Sequence, residues 1–178
     1  MRFGMNQNQE VEKIQIENEY IKAEIMTLGA TLLSFVEKES GIDVVLGFEN
    51  LDGYLNQHGS YLGACVGRCA NRIKGGHFVL NGKEYHVPLN DGFNSLHGGN
   101  CGFSSRLFEI EEQDPNHVVL KLNSEEGDEG YPGNLCLRVC YRLEGRCLYF
   151  EFVGESDQDT IFNITNHSYF NLDGALSK

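Results

Sequence analysis

The stretch that decides the fold is "NLCLRVCYRLEGRCLYFEFVGES", residues 134–156. Alternate positions from Leu135 to Leu143 are apolar, and after a turn at Glu144-Gly145 the alternation resumes at Leu148. Apolar residues at every second position are typical of strands with one face buried and one face in water. This stretch therefore predicts an antiparallel pair of strands.

The same pattern extends outward over most of the chain. Residues 13–38 alternate in short segments broken by Asn18 and Gly29, and "HFVLNGKEYHV" carries Asn81-Gly82 between two alternating runs, a strong hairpin signal. A third turn is predicted at residues 114–116. We find no convincing helix, internal repeat or linker. The sequence predicts an all-β protein, a sandwich or a barrel, with residues 1–178 forming a single domain.

Composition excludes several classes of function. Hydrophobic residues make up 40% of the chain and charged residues 22%, as in ordinary globular proteins, and the net charge is −12. That charge repels nucleic acid and anionic lipid, so neither is expected as a partner. No apolar run reaches the ~18 residues of a membrane span, and the first residues do not form a signal peptide. We expect a cytoplasmic protein with reduced cysteines.

Two segments interrupt the alternation and carry candidate site residues. "GACVGRCANRIKGG", residues 63–76, presents Asn71 and Arg72 between small residues, and "NSLHGG", residues 94–99, places His97 before two glycines. Arg72 has two interpretations: a surface charge paired with a carboxylate, or a guanidinium that binds a hydroxyl-rich or anionic ligand. The spacing alone does not choose between them.

His167 is the second candidate histidine. It lies in "TIFNITNHSYFNLDG", residues 160–174, where Asn, Ser and Tyr neighbours are able to hold an imidazole in one tautomer. A structural histidine is the alternative. A metal site would need a third ligand beside His97 and His167, and no such motif follows, so no metal is expected. The remaining histidines are interpreted as surface or packing residues: His58, His77, His86 and His117.

Three segments in this order resemble the aldose 1-epimerases, also called galactose mutarotases. They are "GRCANRIKGGHFVLNGKEYHVPLN" (residues 67–90), "NSLHGGNCGF" (94–103) and "NITNHSYFNLDG" (163–174). The likeness also covers "IKAEIMTLGATLLSF" and "DGYLNQHGSYLGACVGR", and so most of the chain. The resemblance implies a galactose mutarotase-like antiparallel β-sandwich of the supersandwich type, which binds a small aldose sugar and needs no cofactor.

The resemblance also implies roles for the candidate residues. Asn71 and Arg72 would contact sugar hydroxyls, and His97 and His167 would contact the sugar and serve catalysis. His167 would protonate the ring oxygen while the hemiacetal opens, and His97 would hydrogen-bond beside it. We expect the glycines after His97 to leave room for the sugar ring.

One feature of the family has no counterpart here. The family's catalytic base is a glutamate, and a sugar-binding aspartate also lies beyond the second histidine motif, whereas this sequence stops at "NLDGALSK". The chain therefore resembles the N-terminal portion of the family's sandwich, and the base is expected beyond residue 178. The alternatives are a hexose-phosphate epimerase relative and a non-catalytic carbohydrate-binding β-sandwich.

Overall fold

The computed structural model describes residues 1–175 and is built almost entirely from antiparallel strands. In chain order the strands are β1 (Arg2–Asn6), β2 (Gln9–Glu17), β3 (Ile21–Met26), β4 (Thr31–Glu37), β5 (Cys65–Val66), β6 (Arg72–Lys74), β7 (His77–Leu80), β8 (Lys83–His86), β9 (Asn94–Leu96), β10 (Glu109–Asp114), β11 (His117–Ser124), β12 (Leu135–Glu144), β13 (Cys147–Ser156) and β14 (Thr165–Asn166).

Two four-stranded meanders form the body of the molecule. One has the order β1-β2-β3-β4 and the other β10-β11-β12-β13, each strand pairing with its neighbour in sequence. The hairpin predicted from residues 134–156 is confirmed, because Val139 lies opposite Phe152 and Tyr141 opposite Phe150. The apolar sets of both strands consequently share one face of the sheet.

The two meanders bury their apolar faces against each other, as in a β-sandwich. A single cluster of buried side chains joins them, with Ile14, Ile16, Ile21, Ala23, Ile25 and Leu32 from the first and Val118, Leu120, Leu122, Leu135, Leu137, Val139, Tyr141 and Leu143 from the second. The all-β antiparallel sandwich predicted from the sequence is confirmed.

Within residues 1–175, three short strand pairs lie outside the meanders, and the candidate residues lie on or directly beside two of them. The three pairs are β5 with β14, β6 with β9, and β7 with β8. The β7–β8 pair is the Asn-Gly hairpin predicted from the sequence, in which Asn81 and Gly82 both have positive φ (52° and 78°). This is the turn geometry that an Asn-Gly pair favours.

The expectation that the chain forms no helix is wrong: within residues 1–175 there are one short α-helix and three single-turn 3₁₀ helices, at His58–Ser60, Phe103–Ser105 and Asp128–Gly130. Residues Leu51–Asn56 form α1, a single short helix whose N-terminus is capped by Asn50, with the Oδ1 atom accepting from the Gly53 amide at 3.1 Å. The segment is short and contains a glycine, so no helical periodicity is visible in the sequence. Its apolar side chains, Leu51 and Tyr54, are buried in a second cluster with Val11 and Met26, and this packing stabilises the helix.

No helix within residues 1–175 is both long and apolar enough to cross a membrane.

Candidate active site

The loop that carries His97 begins where β9 ends. Arg72 on β6 lies opposite Leu96 on β9, so Asn71 and His97, one residue beyond this pair, are neighbours. The His97 amide donates to the Asn71 carbonyl oxygen at 3.0 Å, and the Asn71 amide donates to Nδ1 of His97 at 3.0 Å. Because Nδ1 accepts, the neutral imidazole carries its proton on Nε2 and presents a hydrogen-bond donor.

His167 immediately follows β14 and is fixed through its backbone. Its amide donates to the Ala64 carbonyl oxygen at 2.8 Å, and its own carbonyl oxygen accepts from the Gly63 amide at 3.2 Å. Asn166 strengthens this attachment by donating from Nδ2 to the Gly63 carbonyl oxygen at 2.7 Å and to the Tyr141 hydroxyl at 3.1 Å. Since Tyr141 is buried in the sandwich core, the position of His167 is tied to the core.

The polar neighbours of His167 were expected to hold its imidazole by hydrogen bonds, but the Asn166 side chain binds other groups. The Asn166 side chain binds backbone groups and Tyr141, and its Oδ1 accepts from the Ser168 amide at 3.0 Å. Among the described residues, the contacts of the His167 imidazole are with other rings. Its centroid lies 5.3 Å from that of Tyr169 and 5.1 Å from that of His97.

The structure therefore brings His97 and His167 together. Their rings are nearly perpendicular, at 86°. Tyr61 completes the cluster, with its ring centroid 4.7 Å from that of His97 and 5.7 Å from that of His167. All three side chains are partly accessible to solvent, so a ligand on this surface can reach both imidazoles.

Arg72 adjoins the imidazole pair through Asn71. Its Nη1 lies 3.4 Å from Oδ1 of Asn71, and its Nε donates to Oδ2 of Asp91 at 2.7 Å. The Arg72 side chain remains 52% exposed. Both interpretations of Arg72 from the sequence are thus compatible with its geometry: it pairs with a carboxylate, and its exposed guanidinium still has donors for a ligand.

Electrostatics around the pair keep His97 neutral. Partial burial lowers the pKa of His97, and the charges of His167 and Arg72 lower it further, while Asp91 raises it. A charge on one imidazole thus disfavours a charge on the other. At neutral pH, His97 is therefore a neutral donor through Nε2–H.

This balance of charges predicts the titration of His97. The midpoint should lie below 6.5, the usual value for histidine. Arg72→Gln should raise the midpoint, because it removes a repulsive cation, whereas Asp91→Asn should lower it by removing an attractive anion. Long-range ¹⁵N–¹H NMR of the imidazoles measures both shifts and shows whether Nδ1 is the acceptor. Shifts of the same sign in the two variants would contradict this account.

The two glycines after His97 do not make room for a sugar, so that expectation is wrong. Both are buried, with φ values of +92° and +110°. A Cβ atom on Gly98 would lie 1.8 Å from the Gly67 carbonyl oxygen, and one on Gly99 would lie 2.0 Å from Oε2 of Glu129. The glycines instead let the protein's own segments pack closely behind the site.

Substitution of Gly98 tests this packing. Gly98→Ala should destabilise the chain by more than the roughly 1–3 kcal/mol that a strained left-handed residue costs, because a backbone clash is added. Gly82→Ala is the matched control: its φ is +78° and nothing lies within 4 Å of the added methyl group. Urea unfolding of both variants makes the comparison, and equal losses would refute the close-packing role of Gly98.

Several residues of the site were missed in the sequence. Tyr61 lies between Ser60 and Leu62 in a loop, and Asp91 belongs to an Asp-Gly turn, so neither has a local signature. Glu129 accepts a hydrogen bond from the Asn100 amide at 2.6 Å and supports the histidine loop. These positions lie far apart in the sequence, and the tertiary structure brings them together.

Of the other histidines, His77, His86 and His117 lie apart from this cluster, and His58 contacts it through Tyr61, with ring centroids 5.5 Å apart. His77 and His86 pair across the β7–β8 hairpin, and His117 begins β11. His58 lies 3.4 Å from the Ser104 hydroxyl and lines a small cavity beside Tyr61. That cavity is mainly apolar, unlike the exposed polar surface at His97. Within residues 1–175, no group of three or more His, Cys, Asp or Glu side chains is placed to hold a metal ion.

The site consists of two imidazoles and an amide–guanidinium pair on the surface of a β-sandwich. A family model described as aldose 1-epimerase matches residues 12–178. The chain belongs to the aldose 1-epimerase family.

Individual relatives agree with this assignment. Galactose mutarotase of Rattus norvegicus is 44% identical over 170 residues, which are 94% of this chain and 49% of that protein. Aldose 1-epimerase of Haemophilus influenzae is 42% identical over 91% of this chain and 48% of its own length. The chain thus spans about half the length of the curated relatives that it matches.

Solved structures show the same fold. A GalM/aldose epimerase homologue from C. elegans superposes with a TM-score of 0.86 at 34% identity, over 93% of this chain and 52% of that one. Galactose 1-epimerase from Lactobacillus acidophilus gives a TM-score of 0.86 at 31% identity, over 97% and 52%. The galactose mutarotase-like fold expected from the motifs is therefore confirmed.

Proposed function

We propose that this chain contributes the sugar-binding and proton-donating part of an aldose 1-epimerase, which interconverts the α and β anomers of hexoses such as glucose and galactose. The observation that supports the proposal most strongly is the pair of imidazoles of His97 and His167, 5.1 Å apart on an accessible surface. Asn71 and Arg72 supply hydroxyl-binding groups at the same place.

The chemistry requires two proton transfers. Ring opening needs a base to remove the proton of the anomeric hydroxyl and an acid to protonate the ring oxygen, and closure on the other face reverses these roles. In this proposal His167 is the acid, because its imidazole is partly exposed and makes no hydrogen bond to another side chain among the described residues. His97 remains neutral and donates from Nε2 to a sugar oxygen. Each positioned proton transfer contributes roughly 100- to 10,000-fold.

The base is the part of the reaction that this site does not supply. Asp91 is the carboxylate whose charge acts on His97, but its Oδ2 is engaged by Nε of Arg72 at 2.7 Å. We propose that the base lies outside the described residues, in agreement with the family resemblance. The site described here would bind the sugar and protonate its ring oxygen, and it would not catalyse mutarotation without the base.

Sugar binding to the chain itself tests the proposal. Addition of galactose should shift the imidazole signals of His97 and His167 with saturation, because both rings would contact the ligand. The signals of His77 and His86, on the separate hairpin, serve as the internal control and should not move. Saturable shifts confined to the hairpin, or no shifts at any histidine, would refute a sugar site at the imidazole pair.

The same titration tests the alternative of a hexose-phosphate epimerase relative. Glucose 6-phosphate should bind no more tightly than glucose, because Arg72 is already paired with Asp91 and the net charge of −12 repels a phosphate. Tighter binding of the phosphate ester would favour the hexose-phosphate relative.

The acidity of the chain also supports our proposal that the protein has no nucleic-acid partner.

We propose a cytoplasmic location for the protein. The cysteines of this chain are free thiols, and Cys65 is fully buried in the sandwich core, where burial raises the pKa of its thiol. Reduced, buried cysteines are typical of proteins in a reducing compartment. Fluorescence microscopy of the tagged protein in its native cell is the test, and a signal outside the cytoplasm would contradict the proposal.

A further inference from the structure

Tyr61 has an unusual backbone conformation for a bulky residue. Its φ and ψ are 53° and 23°, in the left-handed region that glycine and asparagine favour. The Tyr61 amide donates to the His58 carbonyl oxygen, and the Tyr61 carbonyl oxygen accepts from the Ala64 amide, both at 3.1 Å. A strained residue of this kind persists where its surroundings hold it, and such residues cluster at functional sites.

The ring of Tyr61 contacts both imidazoles of the candidate site. It meets His97 at an interplanar angle of 70° and His167 at 39°, while the two imidazoles are themselves 5.1 Å apart. The three rings thus form a closed triangle. Each ring therefore restricts rotation of the other two, including rotation of the imidazoles about χ2, an angle that is intrinsically soft.

The two imidazoles depend on Tyr61 to different degrees. His97 is also held at Nδ1 by the Asn71 amide. Within residues 1–175, the His167 imidazole is held by ring contacts with Tyr61, His97 and Tyr169. Tyr169 is 48% exposed, so it confines the imidazole less than the partly buried Tyr61 does.

Tyr61 also reaches the charged side of the site. The pKa of its phenol is raised by burial first and then by the negative charge of Asp91, which places the phenol within range of the Arg72–Asp91 pair. The hydroxyl therefore stays protonated at neutral pH and adds no charge beside the imidazoles.

We propose that Tyr61 is a positioning residue, whose ring fixes the mutual orientation of the His97 and His167 imidazoles, an inference that rests on the proposed function for its catalytic consequence. Proton transfer depends on geometry, and a displacement of about 1 Å costs on the order of 100-fold in rate. The ring is the working part, and the phenol hydroxyl is dispensable.

Three variants of the 178-residue chain distinguish the role of the Tyr61 ring from that of its hydroxyl group. Tyr61→Phe keeps the ring. Tyr61→Asn and Tyr61→Gly remove it while remaining compatible with the left-handed backbone, so loss of the fold is not expected. Thermal unfolding verifies the fold of each variant before any other measurement.

The mobility of the imidazoles is the decisive readout. In the wild-type chain, ¹³C relaxation should give His167 an imidazole order parameter near the rigid value of about 0.85, well above that of exposed His86. Tyr61→Phe should preserve this value. Tyr61→Asn and Tyr61→Gly should lower it below about 0.6 at His167, with a smaller decrease at His97. Ring-current effects do not enter this measurement.

The outcomes are distinguishable from those of the proposed function. A mobile His167 imidazole in the wild-type chain, or a rigid one in a folded Tyr61→Asn or Tyr61→Gly chain, overturns the positioning role whether or not the protein has activity. A loss in Tyr61→Phe as large as in Tyr61→Asn would overturn the assignment to the ring. In a mutarotase-active protein that contains this chain, Tyr61→Asn should lower kcat at least about tenfold with KM within about twofold.

Discussion

In a protein that also supplies the proposed base, replacement of His167 by asparagine should lower the catalysed rate of mutarotation by roughly 100- to 10,000-fold. Asparagine keeps a polar side chain at this position but has no titratable group, so protonation of the ring oxygen falls to water. The backbone of His167 is held by Gly63 and Ala64, and these hydrogen bonds do not involve the imidazole. The substitution should therefore remove turnover without unfolding the chain.

A chimera provides the protein for this experiment. In it, this chain replaces the matched half of the rat galactose mutarotase, to which it is 44% identical. Polarimetry on freshly dissolved α-galactose measures the approach to anomeric equilibrium, after subtraction of the spontaneous rate. His86→Asn, on the exposed β7–β8 hairpin, is the matched control and should retain the full rate. A His167→Asn chimera that works as fast as its parent would remove His167 from the mechanism.

Replacement of Arg68 by methionine should have the largest effect on stability, about 3–5 kcal/mol. Arg68 is only 2% exposed. Its guanidinium donates to the carbonyl oxygens of Ser124, Glu125, Pro132 and Gly133 at 2.8–2.9 Å, and to the Ser124 hydroxyl. Methionine fills much of the space but leaves the buried carbonyl oxygens of Ser124, Pro132 and Gly133 without this donor, and an unsatisfied buried acceptor is costly.

The charge of Arg68 is also part of a buried network. The Ser124 hydroxyl donates to Oδ2 of Asp128, which also accepts from Arg106 at 2.7 Å. Burial lowers the pKa of Arg68, and the nearby charge of Asp128 opposes that effect. Arg68→Lys should recover only part of the stability, because an ammonium cannot reproduce the fork of donors that the guanidinium presents to several carbonyl groups.

Urea unfolding of the chain measures these changes. Arg138→Met is the matched control: Arg138 pairs with Glu111 on the surface of the second meander, where solvent screens the interaction, so its loss should change stability little. Equal midpoints for Arg68→Met and Arg138→Met would show that the buried hydrogen bonds around Arg68 do not stabilise the fold.

The loop from Arg68 to Arg72 leads directly to the site, so a sugar titration of Arg68→Lys would also report on site geometry.

Local pattern determined much of the architecture. The alternation in residues 134–156 was sufficient to predict the β12–β13 hairpin and its buried face, because the side-chain period of a strand fixes which residues share a face. Asn81-Gly82 predicted a turn because both residues tolerate positive φ. The motifs around Asn71, His97 and His167 pointed to the family, and the family model confirms it.

The composition of the site was decided by tertiary structure. Tyr61 and Asp91 reach the imidazoles only because short strand pairs join distant segments, and such long-range pairings leave no periodic trace in the chain. The helix at residues 51–56 likewise depends on the burial of Leu51 and Tyr54 rather than on helical periodicity. From the sequence, Gly98 was expected to leave room for a ligand, but the Gly67 carbonyl group occupies that space. The sequence pattern shows which face of a strand is apolar. Which distant segments pack against a residue, and which side chains surround it, is decided only by the folded chain.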